Sequence, residues 1–106
     1  MVVMMLEKVK ASLRGELTRW LIEIRPGVYI GHINGMVRDR LWEYCCKDKR
    51  AGIVLQAWTA NTEQHFKMRL SGDPQRQVVD WEGLQLIYEM KEDLKPAQKR
   101  RIQKIA

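Results

Sequence analysis

The first apolar run, Val2 to Leu6, is rich in strand formers and ends at Glu7-Lys8, which predicts a central strand buried on both faces. From Ser12 the period changes. Leu13, Leu17, Trp20, Leu21 and Ile24 fall on one stripe of a helix, with Ser12 as its N-cap and Pro26-Gly27 as its stop. Val28-Tyr29-Ile30, set between glycines, reads as a short strand; a bent continuation through His32-Ile33 is the alternative. Asn34 is placed to cap a second helix with Val37, Leu41, Tyr44 and Cys45 on its inner face. Lys47, Lys49 and Arg50 follow in its last turn, where positive charge complements the helix dipole, and Gly52 ends it. Ile53 to Thr59 reads as a second buried strand. Beyond a turn at Asn61-Thr62, Phe66, Met68 and Leu70 alternate with His65, Lys67 and Arg69. A polar loop, Ser71 to Gln77, precedes the last strand, in which Leu84, Leu86, Tyr88 and Met90 alternate with Gln85, Ile87 and Glu89.

That order of elements predicts an α+β sandwich of ferredoxin-like type, with two helices on one face of a mainly antiparallel sheet. The 106 residues suffice for one domain. Composition changes sharply after Met90, so residues 1–90 are expected to form the folded domain and residues 91–106 a basic tail or linker. The tail holds six basic against two acidic residues, and that surplus of four leaves +2 of the net +6 for residues 1–90. Pro96 is placed to open a helix with Ile102 and Ile105 on one side. Two isoleucines bury too little to offset the ordering of a dozen residues, so the tail is expected to be disordered without a partner.

No apolar run approaches membrane-spanning length, and Met1 to Leu6 is too short for a signal-peptide core, so a cytoplasmic protein without a membrane partner is expected. Cys45 and Cys46 are adjacent and cannot staple distant segments. With His32 and His65 far apart, no zinc spacing appears, and no cofactor is required by any motif.

Catalytic patterns are sparse: there is no glycine-rich phosphate loop, and Ser12 and Ser71 lack an evident base. Glu7 is the one candidate. Two copies meeting in a symmetric dimer could share a divalent ion such as Mg2+, as metal-dependent nucleases require; the commoner reading is a solvated strand end beside Lys8. Arginines make a better case. Arg14, Arg25, Arg38 and Arg76 are candidate phosphate contacts, because a planar guanidinium donates two hydrogen bonds at once, and a dimer would double their number on a two-fold surface. Trp20, Trp42 and Trp58 read as core. Trp81, among Asp80, Glu82 and Gly83, is a candidate for a protein contact.

The segments Arg14-Gly15, Trp20 through Gly31 (with Arg25-Pro26-Gly27-Val28-Tyr29-Ile30-Gly31), Val37-Arg38, Trp42-Glu43 and Ala57 through Glu63 resemble the CRISPR-associated protein two family, subtype I-E; so do Asp80 and Gly83-Leu84. The resemblance spans most of residues 2–90. It implies a ferredoxin-like homodimer whose C-terminal strands cross to extend the partner's sheet, with Leu84, Leu86, Tyr88 and Trp81 at the contact. It also implies a non-catalytic scaffold that binds protospacer duplex DNA and CRISPR repeat DNA and bridges dimers of a CRISPR integrase, which performs spacer integration with its own Mg2+. The family's DNA-contacting arginines fall on Arg14, Arg38 and Arg76, with Arg25 in a partly structural place. Basic residues common in relatives are replaced by Ser12 and Met36, and Glu7 stands where the nuclease-like members carry aspartate. Some relatives continue into an exonuclease-like domain, of which the tail carries no motif.

Overall fold

β1 (Val2–Leu6) is the central strand that its apolar run predicts. It pairs antiparallel with β3 (Val28–Gly31) on one side and β4 (Val54–Thr59) on the other. Val2, Met4 and Leu6 are buried, whereas Val3 is half-buried and Met5 45% exposed, so the strand is buried on one face and not on both. The computed structural model describes residues 1–90; the expectations for the tail lie outside the described residues. β2 (Ile22–Arg25) and β5 (Phe66–Ser71) complete a five-stranded sheet in the order β2-β3-β1-β4-β5, antiparallel at every pairing. Val2, Met4, Leu6, Tyr29 and Val54 point from one face into a core closed by Leu13 and Leu17 of α1 (Ala11–Thr18) and Leu41 and Cys45 of α2 (Gly35–Lys47). Two helices on one face of an antiparallel sheet make this a ferredoxin-like α+β fold.

The first helix is shorter than its apolar stripe suggests. It ends at Thr18, whose hydroxyl donates back to the carbonyl of Arg14 (2.8 Å) and competes with continued winding. Leu21 is still buried, which explains the match to helical spacing, but Trp20 is 44% exposed, and Ile22 and Ile24 lie on β2. Half of residues 18–25 are β-branched or aromatic, and pairing with β3 offers them a ladder (Ile22 opposite Ile30, Glu23 opposite Tyr29). Pro26-Gly27 is therefore a hairpin turn and not a helix stop. Gly27 sits at φ +81°, with its carbonyl accepting from Leu6 N–H (2.8 Å). The N-cap of α1 is Lys10, without a side-chain cap bond, and Ser12 lies inside the first turn.

α2 starts as expected, with Asn34 Oδ1 accepting from Val37 N–H at 2.9 Å. Leu41 and Cys45 are buried and Val37 half-buried, whereas Tyr44 turns outward. Burial pushes the Cys45 thiol up to about 12, so it stays protonated. Lys47 closes the helix. Lys49 and Arg50 belong to a separate 3₁₀ turn (Lys49–Ala51), and Asp48 Oδ1 accepts from Arg50 N–H (3.0 Å). β3 ends at Gly31, so the bent extension through His32-Ile33 does not form.

A two-stranded sheet follows, and the sequence reading missed half of it. The loop ends two residues early because Asp73 Oδ1 accepts from the N–H groups of Gln75 (2.8 Å) and Arg76 (3.1 Å), so Arg76 opens β6 (Arg76–Trp81). The turn to β7 (Leu84–Glu89) places Glu82 and Gly83 at φ 53° and 87°, and Asp80 Oδ1 accepts from Gly83 N–H (2.9 Å). Gln64 and the backbone of Gln85 exchange two bonds of 2.9 Å, and Gln85 Oε1 accepts from Met68 N–H (2.6 Å), tying the hairpin to β5. Ile87 then faces Ile53, Leu55 and Leu70 across an apolar hollow of about 400 Å³.

The sheet face opposite the helices carries Ile22, Ile24, Val28, Ile30, Val3, Met5, Leu55, Ala57, Met68 and Leu70 by alternation along the paired strands. Ile22 is 69%, Ile24 56% and Met5 45% exposed. The apolar side of β5 belongs to this open face, while Lys67 and Arg69 share the helix side with Gln56 and Trp58. His65 precedes the strand in a turn, at φ 68°.

Candidate nucleic-acid interface

Arg14 projects from α1 over the β2–β3 hairpin. Its Nε donates to Glu23 Oε2 at 3.2 Å, and the same oxygen accepts from the buried Tyr29 hydroxyl (2.7 Å) and from Gly27 N–H (3.4 Å). The Tyr29 bond, with help from Gly27 and Arg14, holds the Glu23 carboxyl below its ordinary range. Burial and then the Glu23 contact push Tyr29 up to about 12, and Tyr29 and Glu23 together raise Arg14. The ion pair uses Nε, so the Nη1/Nη2 edge that matches a phosphate lies outside it.

Arg38 sits in the first turn of α2 and repeats that arrangement at the other end of the sheet. Its Nε meets Asp39 Oδ1 at 3.1 Å, and its guanidinium stacks on Trp58 with the carbon 4.4 Å from the ring centre. A third arginine completes the group. Arg69 Nη2 meets the same Asp39 oxygen at 2.9 Å, and its guanidinium lies 4.8 Å from the Trp42 ring and 4.9 Å from the Trp58 ring. Gln56, fully buried, joins the parts: its Oε1 accepts from Arg69 Nε (2.8 Å) and Nη2, and its Nε2 donates to the carbonyl of Arg38 (2.9 Å). Two cations on one carboxylate lower Asp39 below its ordinary range, Arg38 first and Arg69 second.

The remaining candidates stand apart from these two. Arg25 is exposed at the end of β2, beside the Pro26-Gly27 turn. Arg76 meets Glu89 at 3.2 Å and Asp73 at 3.7 Å, so a phosphate there must compete with two carboxylates. Glu7 follows β1, its N–H bonded to Ile53 O (2.9 Å), and with Asp73 and Arg76 lines the hollow under the hairpin. No group of three or more His, Cys, Asp or Glu side chains at metal-holding distance occurs among the described residues. Trp81, Leu84, Leu86 and Tyr88 share the side of the hairpin opposite Gln85 and Ile87, and all four are half-buried. Arg14, Arg38 and Arg76 thus form separate points and not one pocket.

Sequence reading overlooked Arg69 and Gln56. The available signal was their register: Arg69 and Gln56 are partners across β4 and β5, and alternation puts both on the side of Trp58. It also did not consider as nucleic-acid contacts Lys8, Lys10, Lys47 and Arg50, which gather near Asp48, itself paired to Lys10 at 3.1 Å.

A family model described as CRISPR-associated protein (Cas_Cas2CT1978) matches residues 1–86, the five-stranded domain and most of the hairpin. The chain belongs to the CRISPR-associated protein 2 family.

Proposed function

We propose that the protein is a non-catalytic, dimeric scaffold of CRISPR adaptation, of the subtype I-E kind its sequence resembles, that holds protospacer duplex DNA between dimers of a partner integrase. One observation carries the DNA-holding part: Arg14 and Arg38 each spend Nε on a carboxylate, which leaves the paired Nη groups outside the ion pair. Both stand on the helix layer, away from the apolar sheet face. Separate forks suit a phosphate backbone, which presents charge at intervals and carries no sequence information of its own.

The dimer reading draws support from the open sheet face. A row of apolar side chains across five strands, with Ile22 and Ile24 more than half exposed, is self-complementary when a second copy is laid on it about a two-fold axis. Exchange of the C-terminal strands between copies, through Leu84, Leu86, Tyr88 and Trp81, belongs to the same proposal. So do the division of the chain into a folded domain (1–90) and a basic tail (91–106), and the cytoplasmic setting.

Binding of unrelated duplexes measured against salt concentration tests the DNA-holding part. Arg14→Ala is expected to weaken all duplexes equally and to reduce the magnitude of the log K against log salt slope by about two, since each phosphate contributes roughly 0.9 and the change occurs twice in a dimer. A variant that shifts preference among sequences while keeping the slope contradicts the reading.

A further inference from the structure

We infer that Arg69 is a positioning residue, holding the Arg38 guanidinium at the angle from which it meets a phosphate. The inference rests on the DNA-holding reading and deepens it. Arg38 alone, at the first turn of a helix, has a long side chain with many rotamers, and one exposed ion pair to its neighbour Asp39 would not select among them. What narrows the choice is that both of its supports are themselves held by Arg69. The Asp39 oxygen that meets Arg38 Nε also takes Arg69 Nη2, and the Trp58 ring under Arg38 is also in contact with Arg69.

Arg69 in turn is fixed on three sides. Trp42 and Trp58 lie within 4.9 Å of its guanidinium carbon, and Gln56 Oε1 takes both its Nε and Nη2. Gln56 has no freedom of its own: it is buried, and its Nε2 donates to the Arg38 backbone carbonyl. A chain of contacts therefore runs from β5 through Arg69 to Asp39 and Trp58, and from Gln56 to the Arg38 backbone. The phosphate-matching edge of Arg38 stays outside it. The edge of Arg69 does not, because its Nε and Nη2 are both committed. That difference assigns the contact to Arg38 and the orientation to Arg69.

The test is a double-mutant cycle on the salt slope of duplex binding by the full chain, read by fluorescence anisotropy with a labelled duplex. Arg38→Ala is expected to reduce the slope by about two per dimer. Arg69→Met, which keeps length and apolar contact with the tryptophans, is expected to reduce it by the same amount, and the double variant by no more than either. A purely structural role for Arg69 leaves the slope of the single variant at the wild-type value, which overturns the inference. A slope reduced by about four in the double variant also overturns it, because Arg69 is then a phosphate contact itself. Should Arg69→Met fail to fold by circular dichroism, Asp39→Ala cuts the same chain at a more exposed point. It is expected to weaken binding although it removes a negative charge, and tighter or unchanged binding overturns the inference. Arg14→Ala separates the two levels. If it lowers the slope while Arg38→Ala does not, the inference fails and DNA holding stands; if the wild type shows no salt-dependent duplex binding, DNA holding fails and takes the inference with it.

Discussion

Met5→Glu puts the proposed pairing of two copies through the open sheet face to a quantitative test. Met5 lies on the central strand, opposite Val28 and Leu55, and is 45% exposed in the single chain. Burying a Met side chain fully stabilises by about 1.5–3 kcal/mol, so completing this burial contributes about 0.7–1.4 kcal/mol per protomer and about twice that per dimer. Loss of that term alone raises the dimer dissociation constant about 10–100-fold. A glutamate there adds the cost of taking an unpaired carboxylate out of water, several kcal/mol per ion, and two of them approach across the two-fold axis. Dissociation is therefore expected to rise by at least about 100-fold, while a separate protomer, in which residue 5 reaches water, loses little stability. Sedimentation equilibrium from nanomolar to high micromolar concentration reads the change, with circular dichroism checking the fold. An unaltered dimer in the Met5→Glu variant, or a wild-type chain that stays a folded monomer at micromolar concentration, refutes the argument.

The Glu23–Tyr29–Arg14 group makes stability depend on pH at both extremes. Glu23 titrates below its ordinary 4.5, so its contribution is present above that value and is lost as pH falls through the lowered one. Tyr29 is raised from 10.0 to about 12, so its contribution is complete below pH 10 and is lost between there and pH 12. Urea midpoints measured across both windows should fall at each end, and Tyr29→Phe should flatten the alkaline limb; a midpoint indifferent to that change contradicts the assignment. Gly27→Ala should destabilise by about 2 kcal/mol or more, because a left-handed φ costs about 1–2 kcal/mol and the new Cβ strikes the Leu6 carbonyl. Thermal unfolding within about 1 °C of wild type would exclude that strain.

The elements that carry one strong signal apiece were readable from the sequence: the apolar run of β1, the alternation in β5, the Asn34 cap of α2. Where two periods fit the same residues, reading failed. Leu17 and Leu21 satisfy a helix through Ile24, and only the pairing of Glu23 with Tyr29 and the turn at Gly27 decide for a strand. β6 was hidden because its start depends on the Asp73 side chain closing a turn, a local bond that composition does not announce. Arg14 and Arg38 were found as residue types suited to phosphate, but their carboxylate partners are nine residues away in one case and adjacent in the other. Arg69 was taken with Lys67 as the polar side of its strand. Its contact with two tryptophans becomes visible only once β4 and β5 are in register.

The central claim is that the protein holds DNA and leaves the chemistry to its integrase. Spacer integration by the reconstituted complex, with Mg2+ present, sets two variants against each other. Glu7→Gln keeps shape and removes the one carboxylate a shared metal site would need; a catalytic role makes its loss cost several orders of magnitude in rate. Arg14→Ala combined with Arg38→Ala removes the two anchored forks. The account predicts integration close to wild type with Glu7→Gln and none with the double arginine variant, the dimer intact in both. Integration lost in the Glu7 variant with duplex binding preserved contradicts it and makes the protein a metal-dependent endonuclease.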